Sequence, residues 1–224
     1  MAIRLEKGQK INLEKSSGSK LVNFCVGCNW GAIVTYKPKL FGLIEGKEVQ
    51  AIDLDLSCIM VDEKGEPVDH IYSPLYKKEV LSKFGLPPGK LDSTDKALHH
   101  SGDDRQGDQD GDDGLDNEII TVDLAKVSQD IHQIFFFLNN CGKEDFSQIP
   151  YVSIRMYEGT PTCVRNVFAE YNVSAQPQYK DATGIIMGKL YRRNNEWKFA
   201  AIGDAFPDPI FCFTLIRILK DYVR

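Results

Sequence analysis

Short apolar segments separated by turn residues follow one another along most of the chain. The segment AIDLDLSCIMVD shows the clearest pattern, because Ile52, Leu54 and Leu56 alternate with Asp53 and Asp55. This period of two is typical of a strand that buries one face. The predicted strands are 21–30, 51–62, 117–124, 131–139, 151–157, 163–173, 185–193 and 196–203. With shorter segments counted, the pattern indicates about nine strands.

Turn residues join several of these strands into hairpins. The sequence EGTP at 158–161 separates one pair, and Asn194–Asn195, which tolerates positive φ, separates another. This arrangement favours an all-β fold, a β-sandwich of two antiparallel sheets. A chain of 224 residues, 42% of them hydrophobic, can bury one sizeable core, so residues 1–224 are predicted to form a single domain. Residues 37–50 and 80–98 are predicted to be loops.

The end of the chain follows a helical period instead. Asp208 and Pro209 are the predicted N-cap and first-turn residues of a helix over about 209–223. Its polar positions form one narrow stripe, which consists of Thr214, Arg217, Asp221 and Arg224. The remaining circumference is apolar and needs a broad partner surface. Docking on the chain's own sandwich is the leading interpretation, and a homo-oligomer formed through this helix is the alternative.

Composition argues against several functional classes. No stretch reaches the roughly 20 apolar residues that span a bilayer, and the N-terminus lacks the apolar run of a signal peptide, so a cytoplasmic location is expected. The 6 cysteines lie mostly among apolar neighbours, which favours buried thiols over a disulfide framework. The 4 histidines are dispersed, and no nucleophile–base pattern is present. Little net charge remains outside one acidic segment, which argues against nucleic-acid binding.

That segment, residues 101–118, is called the acidic loop below. It holds eight carboxylates and one arginine, a local net charge of −7, whereas the whole chain carries −5. Like charges about 4 Å apart repel by roughly 1 kcal/mol in water and about 4 kcal/mol near a protein surface. The loop is therefore either solvated and disordered or folded around cations. Its recurrent glycines, and the strand that begins directly after it, favour cations.

Ca²⁺ fits these ligands best, because it takes six to eight oxygens whereas Mg²⁺ takes fewer and keeps its waters. The loop contains no cysteine, which argues against zinc. An EF-hand does not fit, since a register starting at Asp108 puts Asp113 at the glycine position and Ile119 at the glutamate position. Asp53 and Asp55 lie about 7 Å apart on one strand face. Both can therefore reach a Ca²⁺ site shared with the acidic loop.

Six motifs occur in a specific order along nearly the whole chain. They are LEKGQKINLEK, VGCNW, IDLDLS, HSGDDRQGDQDGDD, NEIITVDL and GKLYRRNNEWKFAAIG. Together they resemble the TerD-domain family of bacterial tellurium resistance and general stress proteins. The resemblance implies a β-sandwich that holds Ca²⁺ in acidic loops at one end, with no established catalytic activity. The chain departs from the family pattern at Gly31 and Asn172, where many members have Asp.

The resemblance also implies a set of metal ligands. The candidates on the matching motifs are Asp53, Asp55, Asp103, Asp104, Asp112, Asp113 and Glu118. The sequence GLDN separates the two adjacent aspartates from Glu118, so Asp116 is an alternative to either of them. Two or more Ca²⁺ ions are expected.

Three functions stay open at this point. The leading hypothesis is a Ca²⁺-binding stress-response protein associated with tellurium resistance, not an enzyme, in which the cation orders an acidic end face that engages a partner. Other stress or tellurium-resistance proteins are the expected partners, with membrane association left open. One alternative is a metal-dependent phosphoryl hydrolase in which two metals activate water. The other is a C2-like module whose Ca²⁺ bridges to anionic lipid.

Overall fold

The computed structural model describes residues 3–4, 6–14, 18–39, 44–173, 177–194 and 196–223. The strands in these ranges are β1 (Ile3–Arg4), β2 (Lys10–Asn12), β3 (Asn23–Trp30), β4 (Ile33–Lys39), β5 (Ile44–Gln50), β6 (Leu54–Val61), β7 (Pro67–Ile71), β8 (Leu98–His100), β9 (Glu118–Asp123), β10 (Gln133–Asn140), β11 (Val152–Thr160), β12 (Cys163–Asn172), β13 (Gly184–Arg193) and β14 (Glu196–Phe206). The helices are α1 (Lys78–Lys83) and α2 (Phe211–Arg217), with a 3₁₀ turn at Pro177–Tyr179 and a π-helical turn at Ile218–Tyr222.

Two six-stranded sheets form a β-sandwich. The first sheet has the order β1-β12-β11-β3-β9-β8, and the second has the order β2-β14-β13-β10-β6-β7. All pairings within them are antiparallel except that of β1 with β12, which is parallel. The predicted fold class is confirmed. Both predicted hairpins, β11–β12 and β13–β14, are also confirmed, and Asn194 has a φ of 53°.

Strand β6 is buried along its whole length. One face contributes Leu54, Leu56 and Met60 to the main core between the sheets. The other face contributes Ile59 and Val61 to a second cluster on the outside of the sandwich. The alternation in this strand therefore does not separate a buried face from a solvated one. It separates two buried faces. Asp53 and Asp55 lie on the outer face, where the strand begins.

Helix α2 covers this outer face. Its buried residues Phe211 and Leu215, with Ile218 of the following π-helical turn, belong to one cluster with outward-facing residues of β6, β10 and β13, which include Phe135 and Ile186. Docking on the chain's own sandwich is therefore what the structure shows. The face directed away from the sheet still exposes apolar side chains, since Phe213 and Ile216 are each 42% exposed.

The start of this helix differs from the prediction. Helix α2 begins at Phe211 and has no side-chain cap, so Asp208 is not its N-cap. Asp208 is instead 4% exposed and accepts hydrogen bonds from Thr214 Oγ1 (3.1 Å) and Arg217 Nη2 (2.6 Å). Thr214 is fully buried. Thr214 and Arg217 of the predicted polar stripe thus face the protein, because the buried carboxylate of Asp208 requires hydrogen-bond donors there.

The loop predictions were wrong in part. Residues 33–39 and 44–50 form the β4–β5 hairpin, which pairs from Ile33 with Gln50 to Lys39 with Ile44; residues 40–43 lie outside the described ranges. Both faces of this hairpin are largely exposed, so it lacks the apolar alternation that marks a strand. The last four residues of helix α1 and the first residue of β8 fall within 80–98, and the rest of that segment is irregular.

Four of the cysteines are buried free thiols, as predicted, whereas Cys141 and Cys163 are exposed. Trp30 is fully buried in the main core, and Trp197 is partly exposed and packs against the same core. Within the described ranges, no helix has the length and apolar composition needed to cross a membrane.

We expect helix α2 to contribute to stability through its inner face only. Leu215→Ala removes a side chain that is 1% exposed and should lower the free energy of unfolding by about 2–5 kcal/mol. The matched control is its neighbour, Ile216→Ala, which should change it by less than about 0.5 kcal/mol. Urea denaturation measures both. Equal losses, or a lower mass by light scattering for the Ile216 variant, would instead indicate that the outer face is buried in an oligomer.

Candidate cation site

Three carboxylates meet at one end of the sandwich. Asp53 immediately precedes β6 and Asp55 is its second residue, while Asp103 lies in the acidic loop between β8 and β9. Each of them offers an oxygen atom, and these atoms all lie within 4.8 Å of one another. We call them the first cluster. The predicted meeting of the strand carboxylates with the acidic loop is therefore present in the fold.

Glu118 fixes the position of the loop relative to β6. It is 1% exposed, and its oxygens accept hydrogen bonds from the backbone N–H of Leu56 (2.6 Å) and Asp104 (3.1 Å). Burial raises the pKa of Glu118. Because both carboxylate oxygens of Glu118 already accept hydrogen bonds from backbone N–H groups, this residue holds the acidic loop beside β6 and contributes none of the oxygens grouped in the first cluster.

His100 assists this connection. Its Nε2 lies 3.0 Å from the carbonyl oxygen of Leu56 and 3.4 Å from Glu118. Its Nδ1 accepts a hydrogen bond from the N–H of Gly102 at 3.0 Å. An accepting Nδ1 together with a donating Nε2 is the pattern of a neutral imidazole. The histidine therefore joins β8, β6 and the loop without adding a charge.

Asp55 is the most deeply buried member of the first cluster, at 4% exposure. Its Oδ2 accepts hydrogen bonds from the Tyr76 hydroxyl (2.6 Å) and the Cys141 thiol (2.7 Å). Burial raises its pKa to about 7, even though both hydrogen bonds favour the charged form. The charge on this carboxylate is thus poorly compensated at neutral pH.

Asp53 lies closer to solvent, with a side chain that is 30% exposed. Partial burial and then the nearby Asp103 raise its pKa, whereas Arg105 lowers it. The Arg105 Nε is 3.7 Å from Asp53, and its side chain is 69% exposed, so it compensates the negative charge only weakly. In addition, Asp103 Oδ1 is buried and makes no hydrogen bond within the described residues.

A second group, the second cluster, consists of Asp108, Asp112 and Asp113, whose oxygens again lie within 4.8 Å of one another. Asp108 accepts hydrogen bonds from Asn117 Nδ2 (3.0 Å) and the Tyr151 hydroxyl (2.8 Å). Asp108 therefore turns toward the protein and not toward water. Asp110 does face water, because its side chain is 93% exposed and paired with Lys47.

The acidic loop is also attached to the end of β3. The backbone of Asp108 pairs with Trp30 and Ala32 through hydrogen bonds of 2.9 Å each. Gly107 allows this approach, because it has a φ of +66° and a Cβ there would lie 2.5 Å from the Trp30 ring. Asn29 Nδ2 donates to Asp112 (2.9 Å), while the buried Oδ1 of the same amide has no partner among the described residues.

The remaining predicted ligands bind elsewhere in this structure. Asp104 accepts hydrogen bonds from the N–H groups of Gln106 and Gly107, which close a turn within the loop. Asp116 is 8% exposed and pairs with Arg155 at 2.9 Å; burial raises its pKa to about 6. The clusters thus unite Asp53, Asp55, Asp103, Asp112 and Asp113 of the predicted set, and the identity of the metal ligands stays a prediction.

Sequence reasoning missed Asp108, Tyr76 and Cys141 as parts of this end of the molecule. Asp108 carried a signal, since it lies in the same acidic run. Tyr76 and Cys141 carried none, because they come from distant segments that only the fold brings to Asp55. The grouped atoms of both clusters are carboxylate oxygens, and one oxygen of their members, Asp103 Oδ1, is buried without a hydrogen-bond partner among the described residues. Hard oxygen ligands of this kind are the ones that Ca²⁺ takes.

The chain is similar to known proteins over most of its length. The family model described as TerD domain matches residues 1–212. The chain is 34% identical to "Stress response protein SCP2" of Bacillus subtilis (strain 168), covering 93% of this chain and 94% of that protein. It is 30% identical to "Tellurium resistance protein TerZ" of Serratia marcescens, covering 91% and 90%. These relatives are named for resistance and stress response, not for a catalysed reaction.

The fold has solved counterparts. A crystal structure of a homologue of telluride resistance protein (TerD) from Streptomyces coelicolor A3(2) aligns with a TM-score of 0.57, covering 90% of this chain and 97% of that one. At 14% identity this likeness concerns the fold alone. The match of the family model over residues 1–212, the order of the motifs and the level of identity to the relatives lead to one conclusion: the chain belongs to the TerD-domain family.

Proposed function

We propose that this protein is a Ca²⁺-binding stress-response protein associated with tellurium resistance, which acts by interaction and not by catalysis. The observation that carries the proposal is the first cluster, in which oxygens of Asp53, Asp55 and Asp103 lie within 4.8 Å of one another. Binding of a cation there would draw the acidic loop against β6. The ordered end face would then be the surface that a partner recognises.

Electrostatics supports a cation at this position. Unit charges about 4 Å apart repel by roughly 4 kcal/mol near a protein surface, and three carboxylates at such distances repel in every pair. Within the described residues, Arg105 is the cation recorded beside the cluster, and its side chain is mostly exposed. A bound divalent ion would attract each carboxylate and so outweigh these repulsions, and it would give the buried Asp103 Oδ1 a partner.

The second cluster supports a second ion. Asp112 and Asp113 lie beside Asp108, and the unpartnered Oδ1 of Asn29 belongs to an amide that already contacts Asp112. Amide and carboxylate oxygens together are typical of Ca²⁺ sites. Since the acidic loop contributes to both clusters, filling them would fix it against β6 at one side and β3 at the other.

The cellular role follows from the relatives. Proteins similar to this chain over more than nine-tenths of its length are named for tellurium resistance and for stress response. We extend that role to this chain, with other stress or tellurium-resistance proteins as the expected partners and the cytoplasm as the expected location. The phosphoryl hydrolase and C2-like alternatives gain no specific support from the clusters.

Asp55→Asn should remove most of the stabilisation by Ca²⁺, because it removes a ligand charge at nearly constant side-chain size. In the wild type, Ca²⁺ at a hundredfold excess over its dissociation constant should add about 2.7 kcal/mol to the free energy of unfolding. Without Ca²⁺ the variant should be at least as stable as the wild type, since a buried charge is gone. Thermal unfolding in Ca²⁺ and in chelator measures both effects.

The matched control for that substitution is Asp110→Asn, because Asp110 lies in the acidic loop but its side chain is 93% exposed. This variant should keep the full stabilisation by Ca²⁺. If the Asp110 variant loses it and the Asp55 variant does not, the acidic loop binds the ion alone and the strand carboxylate has no part in it.

Ca²⁺ affinity should decrease with decreasing pH below about 7. The raised pKa of Asp55, about 7, means that the folded protein keeps a proton that the unfolded chain loses near pH 3.9. Without Ca²⁺, the free energy of unfolding should therefore fall as pH rises from about 3.9 to about 7. Below about pH 7, Ca²⁺ must displace the proton of Asp55 in order to bind. The apparent affinity should drop by up to about tenfold per pH unit there. Calorimetric titration between about pH 6 and pH 8 checks this, and a constant affinity would contradict it.

A further inference from the structure

Asp55 of the first cluster is connected to helix α2 through a tyrosine. Tyr76 lies in the connection between β7 and α1, and its hydroxyl donates a hydrogen bond of 2.6 Å to Asp55 Oδ2. Burial, followed by the charge of Asp55, raises the pKa of Tyr76 well above its usual value, so the hydroxyl keeps its proton and remains the donor. Hydrogen bonds to a charged carboxylate are short and strong. Tyr76 therefore fixes the orientation of the Asp55 side chain.

The ring of the same tyrosine lies against the first residue of helix α2. Tyr76 and Phe211 are stacked, with ring centroids 4.0 Å apart and an angle of 12° between the ring planes. Phe211 begins the helix and is 5% exposed. Aromatic pairs stabilise a fold by more than the burial of their area alone. The position of Tyr76, and hence that of its hydroxyl, therefore depends on the docking of α2.

A second set of contacts runs from the strand position of Asp55 to the same helix. Asn139 lies directly opposite Asp55 in the pairing of β10 with β6, and it is 1% exposed. Its Nδ2 donates to Thr214 Oγ1 at 2.8 Å, and this hydroxyl in turn donates to Asp208 Oδ2 at 3.1 Å. Buried polar groups thus hold helix α2 at the level of Asp55, in addition to its apolar residues.

The two side-chain donors of Asp55 use the same oxygen. Tyr76 and Cys141 both donate to Oδ2, which leaves Oδ1 as the oxygen that a cation can take without breaking either bond. Groups that orient a metal ligand without touching the metal change metal affinity by about 10–100-fold when they are removed. The hydrogen bond from Tyr76 is of this kind.

We propose that Tyr76 is a positioning residue for Asp55 and couples the first cluster to helix α2, so that cation binding and helix docking stabilise each other. This inference rests on the proposed function, in that a cation binds at the first cluster. A bound cation would restrict the Asp55 carboxylate, and through it Tyr76 and the stacked Phe211. By linkage, the docked helix raises the affinity for the cation by the same factor.

Tyr76→Phe tests the positioning role, because it removes the hydroxyl and keeps the ring that stacks on Phe211. In calorimetric titration of the full chain, it should lower the affinity of one Ca²⁺ site by about tenfold or more. The matched control is Tyr72→Phe. The ring of Tyr72 also lies against Phe211, with centroids 5.0 Å apart, but its hydroxyl donates to the carbonyl oxygen of Pro87 at 2.6 Å. The control should therefore bind Ca²⁺ as the wild type does.

A second measurement is made in chelator and needs no cation. Hydrogen exchange of the α2 amides, followed by mass spectrometry, should be several-fold faster in Asp55→Asn and in Tyr76→Phe than in the wild type. A neutral amide is a weaker acceptor than a carboxylate, and the effect on α2 is a local opening that does not require lower stability of the whole chain.

The double variant of Asp55→Asn and Tyr76→Phe decides whether the two residues act together. It should exchange no faster than the faster of the single variants, because both substitutions act on the same contact. Asp55→Asn combined with Tyr72→Phe should instead show the product of the two single effects. Wild-type Ca²⁺ affinity in Tyr76→Phe, an equal loss in Tyr72→Phe, or multiplicative effects of Asp55→Asn and Tyr76→Phe on exchange would overturn the proposal.

The two proposals fail separately. If the wild type binds no Ca²⁺, the proposed function is refuted, whereas the exchange of the double variant in chelator still decides whether Asp55 acts on helix α2. If Ca²⁺ binds and Tyr76→Phe keeps the wild-type affinity, the coupling is refuted and the proposed function stands.

Discussion

One buried carboxylate, Glu118, connects the two sheets at the end that carries the acidic loop. It lies at the start of β9 in the first sheet and accepts hydrogen bonds from Leu56 in the second sheet and from Asp104 in the loop. A buried charge is tolerated only when it is well hydrogen-bonded. Because Glu118 must keep both hydrogen bonds, it fixes the path of the acidic loop and also the distance between that loop and β6. The position of Asp103 beside Asp53 and Asp55 depends on this connection.

This connection brings like charges together without neutralising them. Asp55 is held by Tyr76 and Cys141, both neutral donors. The cation beside Asp53, among the residues that the structure describes, is the exposed Arg105. A fold that keeps such an arrangement gives up some stability in the cation-free state, and we propose that a bound cation restores it.

The sequence predicted the architecture better than the site. The alternation around β6 was informative because its carboxylates lie where a buried strand begins. The ordered motifs identified the family. The β4–β5 hairpin gave no such signal, since both of its faces are solvated. Within the acidic loop, composition cannot distinguish carboxylates that turn inward from those that do not. Asp116 pairs with Arg155 and is not part of either cluster, whereas Asp108 accepts a hydrogen bond from Tyr151 and belongs to the second cluster. Both partners are distant in sequence, so composition could not indicate these contacts.

The central claim is that two separate acidic clusters each hold a cation and together order one end of the protein. Calorimetric titration of the full chain with Ca²⁺, read for stoichiometry and repeated with Mg²⁺, tests it most directly. We expect saturable binding of two Ca²⁺ ions per chain and clearly weaker binding of Mg²⁺, because Mg²⁺ keeps several of its waters and usually takes only one or two carboxylates. Absence of saturable heat, or equal responses to the two ions, would show that the acidic loop only attracts counterions and would contradict the account.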